Sequence, residues 1–212
     1  MTMIDFDRIA VLDTETTGLR HVSDGGAARV IQYGLIVVDA TTLRYVTHRE
    51  TFVNLGDDYD WFAPGVQEAM AINRIPRAIL QLGGSPREAL GEALDIDWRG
   101  TCLAAWGLDF DLKMVEGEHQ LLGISGLPWS YRTLDIRSMC AGEQVRTGAR
   151  AGDPFQYLGC GEWIERTLPT RTRRRFSYRD LHGLMAGRRE HDAIFDAAQT
   201  VWAMRLHCES VQ

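Results

Sequence analysis

The clearest apolar run in the chain is Ile9-Ala10-Val11-Leu12, followed at once by Asp13-Thr14-Glu15-Thr16-Thr17-Gly18-Leu19. An apolar run bounded by polar residues and a glycine predicts a strand buried on both faces. Val30-Ile31-Gln32-Tyr33-Gly34-Leu35-Ile36-Val37-Val38-Asp39 predicts a second strand, and the alternating stretch from Arg44 to Val53 a third. The short turns between them suggest an antiparallel meander. Between the first two, the polar stretch from Arg20 to Ala28 holds Gly25-Gly26 and predicts a mobile loop.

From Asp57 to Gly84 the pattern is interrupted by Pro64, Pro76 and paired glycines, which predicts short helical turns rather than one long element. Ser85-Pro86-Arg87-Glu88 reads as a capping box with proline at the first helical position, opening a helix to about Asp97. Thr101-Cys102-Leu103-Ala104-Ala105-Trp106 predicts a fourth, central strand. The residues after Gly107 then place apolar side chains at helical spacing, so Asp111 falls near a helix start that follows a strand end. Tyr131 to Ile136 reads as a fifth strand, with Asp135 near the same edge of the sheet. Helical pieces broken by Gly148, Gly152 and Pro154 follow, then a short helix from Ser177 to Ala186. A long helix from Glu190 to Cys208 closes the chain, with Ala193, Ile194, Ala197, Val201 and Met204 on its apolar stripe. Placed on that helix, His191 and Asp196 lie about 140° apart around its axis.

Composition narrows the class. The 212 residues, 45% hydrophobic and 25% charged, suit one soluble α/β domain over 1–212 with a sizeable core. The first seven residues lack the pattern of a signal peptide, and no stretch approaches the ~18 apolar residues of a membrane span. A cytoplasmic protein is expected, with Cys102, Cys140, Cys160 and Cys208 as reduced thiols. The net charge of −6 gives no global attraction to nucleic acid, so any such binding must rest on a local patch. One exists within an irregular basic insertion around 138–179, where Arg171, Arg173, Arg174 and Arg175 precede Phe176 and Tyr178. It reads either as a solvated loop or as a surface whose arginines contact phosphates while its aromatic rings stack on bases.

The chemistry concentrates at the end of the first strand. Side chains alternate along a strand, so Asp13 and Glu15 project from one face. Two carboxylates held that close raise each other's pKa unless a cation sits between them. Hard oxygen ligands favour Mg²⁺ or Mn²⁺. The plainer alternative is a hydrogen-bonded turn, for which Asp, Thr and Gly are ordinary residues.

Three segments taken together carry a resemblance. Asp13-Thr14-Glu15-Thr16-Thr17-Gly18, Trp106-Gly107-Leu108-Asp109-Phe110-Asp111 and His191-Asp192-Ala193-Ile194-Phe195-Asp196-Ala197 resemble, in order, the motifs of the DEDDh family of 3′–5′ exonucleases. The likeness runs from about residue 8 to 205. The middle motif departs from the commonest form, having Trp106-Gly107 where a His-Asn or similar pair is usual, and offers both Asp109 and Asp111 as the third acid. The Phe-Asp pairing favours Asp111.

The resemblance implies a DnaQ-like, RNase H-like α/β fold: a five-stranded mixed sheet of order 3-2-1-4-5, flanked by helices. It implies catalysis by Asp13, Glu15, Asp111, His191 and Asp196. The four acids would hold two divalent cations, Mg²⁺ or Mn²⁺, with Asp13 bridging, and His191 would act as general base. Thr16, Thr17 and Leu19 would grip the terminal nucleotide, with Trp106, Phe110, Arg173, Arg174 and Arg175 as further substrate contacts. The expected reaction releases nucleoside 5′-monophosphates from the 3′ end of single-stranded or overhanging nucleic acid, DNA slightly favoured over RNA. An RNA trimmer resembling oligoribonuclease or ribonuclease T, and a non-catalytic nucleic-acid-binding scaffold, are the alternatives. No membrane is expected as a partner. A homodimer is left open, and proofreading would call for a separate polymerase or helicase chain.

Overall fold

The computed structural model describes residues 6–130, 132–146, 160, 164 and 179–210. Strands β1 (Arg8–Thr16), β2 (Val30–Asp39), β3 (Tyr45–Phe52), β4 (Thr101–Ala105) and β5 (Thr133–Asp135) form one sheet of order β3-β2-β1-β4-β5. The first three pair antiparallel, while β4 runs parallel to both β1 and β5. This is the mixed sheet of an RNase H-like fold, with β1 at its centre as its unbroken apolar run requires.

The helices are α1 (Pro64–Asn73), α2 (Arg77–Gln81), α3 (Pro86–Ala93), α4 (Leu108–Leu121), α5 (Ile136–Arg146), α6 (Arg179–Met185) and α7 (Ala193–Ser210). Alternation along β1 divides them between two layers. Ile9 and Val11 point into a core shared with Ile194, Ala197, Ala198 and Val201 of α7. Ala10 and Leu12 point the other way, against Ala89, Leu90 and Ala93 of α3 and Met114 and Val115 of α4. Continuing the alternation, Asp13 and Glu15 fall on the α7 face and Thr14 on the α4 face. A third, smaller cluster of Ile31, Trp61, Val66 and Leu80 seats α1 and α2 against the start of β2.

Several boundaries differ from the sequence reading, each for a local reason. The capping box is formed as read: Ser85 Oγ accepts from Glu88 N, and Glu88 reaches back to Ser85 N. The helix stops at Ala93, however, because the indole N–H of Trp98 and the hydroxyl of Thr101 take the carbonyls of Leu94 and Asp97 and turn the chain into β4. Ile136 belongs to a helix rather than to β5, since the Asp135 carboxylate accepts from both Ser138 N and Oγ and caps α5. The stretch after Gly18 is not a loose loop. His21 and Arg29 both bond Glu118 of α4, Arg29 in a two-pronged contact of 2.7 and 2.8 Å, and Val30 N donates to the same carboxylate.

The start of α7 is the largest correction. Asp192 Oδ1 accepts from the N–H groups of Ile194 and Phe195 and so caps the helix. His191 lies before that cap, with φ of +64°, and is not a helical residue. The angle of about 140° between His191 and Asp196 therefore does not describe their relation.

Candidate active site

The five side chains singled out by sequence converge on one open cleft of about 810 Å³. Its lining includes Asp13, Glu15, Asp111, His191 and Asp196, together with Thr16, Thr17, Leu19, Trp106 and Phe110. The basic residues Arg173, Arg174 and Arg175 lie outside the described residues, as does most of 138–179.

Each acid arrives by a different structural route. Asp13 and Glu15 come from the end of β1, where a bulge between Glu15 and Thr16 interrupts pairing with β2. Asp111 comes from the first turn of α4, whose abrupt start after β4 is made possible by Gly107 at φ +118°. Its Oδ1 accepts from both the backbone N–H and the hydroxyl of Thr14, at 2.9 and 2.8 Å. That bonding ties α4 to β1 and fixes one carboxylate oxygen. Asp109, two residues earlier, is instead exposed and paired with Lys113 at 2.6 Å. Asp111 is thus the acid of the middle segment that enters the cleft.

Asp196 comes from the first turn of α7, and its approach depends on Gly34. Gly34 is the register partner of Asp13 on β2. A Cβ there would lie 2.4 Å from the Ala193 carbonyl carbon, so only glycine lets the start of α7 settle onto the sheet. Asp196 Oδ2 accepts from His191 N at 2.9 Å, holding the residue before the cap against the same carboxylate. One donor atom each from Glu15, His191 and Asp196 lie within 4.8 Å of one another. Asp13 and Asp111 fall outside that tight group while facing the same cleft.

The electrostatics of the acids agree with their packing. Burial drives the Asp13 carboxyl well above the ordinary range, and the charges of Asp111, Asp196 and Glu15 add to it. Burial likewise pushes Glu15 up to about 8, with Asp196, Asp192 and Asp111 contributing. Asp111 and Asp196 are each raised to about 7, again chiefly by burial. Four carboxylates so disposed destabilise one another as anions, and a divalent cation relieves that repulsion. All four acids offer hard oxygen donors, so the set suits Mg²⁺ or Mn²⁺. The residues fit such an ion.

The cleft has features that the sequence reading missed. Helix α1 forms one wall with Gly65, Val66, Ala69 and Ile72, and Asn73 Nδ2 donates to Thr16 O at 2.7 Å, fixing the chain just past the acids. Thr16 and Thr17 are buried, and their hydroxyls are engaged by Gly18 O and by Tyr59 and Arg29 respectively. Leu19, by contrast, is 88% exposed at the rim, facing the cleft with the half-exposed Ile72. Arg137 of α5 also lines the cleft, its guanidinium against Gly107. The isolated glycine inside an otherwise apolar β2 was a readable sign of close approach. No periodicity announced α1 as a wall, because Pro64 and its polar residues hide its inner face.

No family model and no curated protein matches the chain. Solved structures do. Cell-death related nuclease 4 superposes with a TM-score of 0.69 at 13% identity, over 97% of this chain and 65% of that one. Exonuclease I of E. coli, in a zinc-bound complex with single-stranded DNA, gives 0.65 at 19%, over 98% of this chain and 41% of that one. The nuclease domain of 3′hExo, a DEDDh family member bound to rAMP, gives 0.61 at 12%, over 97% and 93% respectively. The chain therefore spans less than two thirds of the first two proteins and nearly all of the third. What it shares with these three nucleases is the fold. Among the described residues no helix is long and apolar enough to cross a membrane.

Proposed function

We propose that this chain is a DEDDh 3′–5′ exonuclease, a single domain that hydrolyses the terminal phosphodiester of single-stranded or 3′-overhanging nucleic acid and releases nucleoside 5′-monophosphates. The observation that carries the reading is the convergence of Asp13, Glu15, Asp111, His191 and Asp196 in one cleft, with all four carboxyls held above their ordinary pKa. A structural role for these acids does not account for gathering four of them in one cleft, Glu15 and Asp111 buried and Asp13 and Asp196 half-buried, without a cation among them.

In this reading Asp13, Glu15, Asp111 and Asp196 hold two divalent cations, Mg²⁺ or Mn²⁺. Such ions supply charge stabilisation on the phosphate oxygens and ease deprotonation of water. The chain's own residues do the rest. The donor bonds from Thr14 fix one oxygen of Asp111 and leave the other for the centre. His191 takes the proton of the attacking water at a ring nitrogen, a task suited to imidazole near neutral pH. Leu19 and Ile72, both exposed and both lining the cleft, offer apolar contact to the terminal base and sugar. Trp106 and Phe110 add aromatic surface.

Digestion of matched single-stranded DNA and RNA oligonucleotides, each with Mg²⁺, Mn²⁺ or EDTA, tests the reading and assigns the nucleic acid. Stepwise loss from the 3′ end with 5′-monophosphate products, abolished by EDTA, is expected, with DNA degraded somewhat faster. Internal cuts, or no metal-dependent release from either strand, would count against it.

A further inference from the structure

The turn that carries His191 is fastened by side chains of β2, β3 and the turn itself. Arg188 is at its centre. Its two terminal nitrogens donate to the two carboxylate oxygens of Glu50 on β3, both at 2.6 Å, and Nη1 donates also to Asp192 at 2.9 Å. Glu50 accepts from Gln32 Nε2 at 3.0 Å, and Gln32 Oε1 accepts from Ala193 N at 3.2 Å. The chain on both sides of His191 is thereby tied to β2 and β3. Gln32 is buried and the ion pairs are half-buried.

His191 itself occupies the left-handed region, at φ +64°. That conformation is unfavourable for a residue with a side chain, and such strain persists only where the surroundings over-determine it. The imidazole is exposed, so packing does not aim it; the backbone turn does. A planar guanidinium that spans Glu50 and Asp192 together suits this task in a way that the point charge of lysine does not.

We propose that Arg188 and Glu50 are positioning residues for His191, locking the left-handed turn that directs its imidazole to the Glu15 and Asp196 side of the cleft. The inference rests on the general-base role given to His191 above. A displacement of about 1 Å at a catalytic group can cost on the order of 10²-fold in rate. The side chains of these pairs are only 17–28% exposed, so loosening the clamp also costs stability, and the loss of turnover is read on variants whose melts show them folded at the assay temperature.

The test is a double-mutant cycle on a 5′-labelled single-stranded oligonucleotide, with thermal melts of every variant. Arg188→Gln should lower kcat on the order of 10-fold or more with KM nearly unchanged, and Arg188→Lys should recover part of the loss. In a His191→Ala background, Arg188→Gln should cost nothing further. Should Arg188→Gln fail to fold, Glu50→Gln, which keeps a hydrogen-bonding side chain beside Gln32, carries the same comparison. An equal fractional loss in both backgrounds, or no loss beside an intact His191, overturns the positioning role alone. A normal rate for His191→Ala by itself overturns the general-base reading, and the positioning role with it.

Discussion

At Glu15 and Asp196 the proposed chemistry comes with a cost in stability. Their carboxyls rise from 4.5 to about 8 and from 3.8 to about 7 respectively, so the metal-free folded chain holds protons that the unfolded chain has released. Stability must then fall as pH rises through that window, because the folded state binds the extra protons. Melting in EDTA should show a midpoint that drops from about pH 4 to about pH 8, and Mg²⁺ or Mn²⁺ at the alkaline end should recover it by mass action. A flat profile would mean that burial and mutual repulsion do not raise these carboxyls as their packing requires. His191 makes a second residue-scale claim. His191→Ala should lower the maximal rate on the order of 10²-fold with little change in substrate affinity, partly recovered at alkaline pH as water loses its proton unaided. Single-turnover hydrolysis across pH, with equal rates near neutrality as the contrary result, decides it. The identities of these residues were legible in the sequence. The conformation of His191 was not, since the apolar spacing from Ala193 onward reads as a helix whether or not the residues before it belong.

At the scale of elements, the site depends on how closely α7 approaches β2. Gly34→Ala would set a methyl group 2.4 Å from the Ala193 carbonyl carbon, with backbone on every near side and no flexible side chain to yield. The start of α7 would have to shift, and overpacking of this kind costs about 1–3 kcal/mol. The variant is expected to melt several degrees lower and to lose most of its activity, because Asp196 and His191 move with the helix. A variant of wild-type rate and midpoint would show that the approach is not needed. Strand limits in β1 and β2 followed closely from the apolar runs, and the start of α3 from Ser85 and Glu88. The ends of α3 and β5 did not, because the indole of Trp98 and the carboxylate of Asp135 settle them through bonds that no period encodes. Helix α1 was hidden for a related reason: it packs through a few residues around Val66, so its sequence shows no apolar stripe.

For the molecule as a whole, a chain of net charge −6 must draw a polyanion to a local surface. If the basic stretch with Arg173, Arg174 and Arg175 is that surface, as its sequence leads us to propose, neutralising the three together should weaken substrate binding and flatten its dependence on salt. Turnover at saturating substrate should change little, and an unaltered salt slope would make the stretch a solvated segment. The order of the sheet and the meeting of the motifs were legible through the resemblance of the three segments to the DEDDh motifs, whereas the apolar runs alone read as a three-stranded meander followed by strands alternating with helices. The cleft wall, the Gly34 approach and the clamp on His191 come from contacts between residues distant in sequence. The claim on which the rest depends is that the converging acids are a catalytic metal centre. Single-turnover digestion of a 5′-labelled single-stranded oligonucleotide by the wild type and by Asp196→Asn, each first shown to be folded by its melting curve, tests it most directly. With saturating Mg²⁺ the wild type should shorten the strand stepwise from its 3′ end while the variant leaves it intact, as the wild type does in EDTA. A folded Asp196→Asn protein that keeps near-normal turnover would contradict the account.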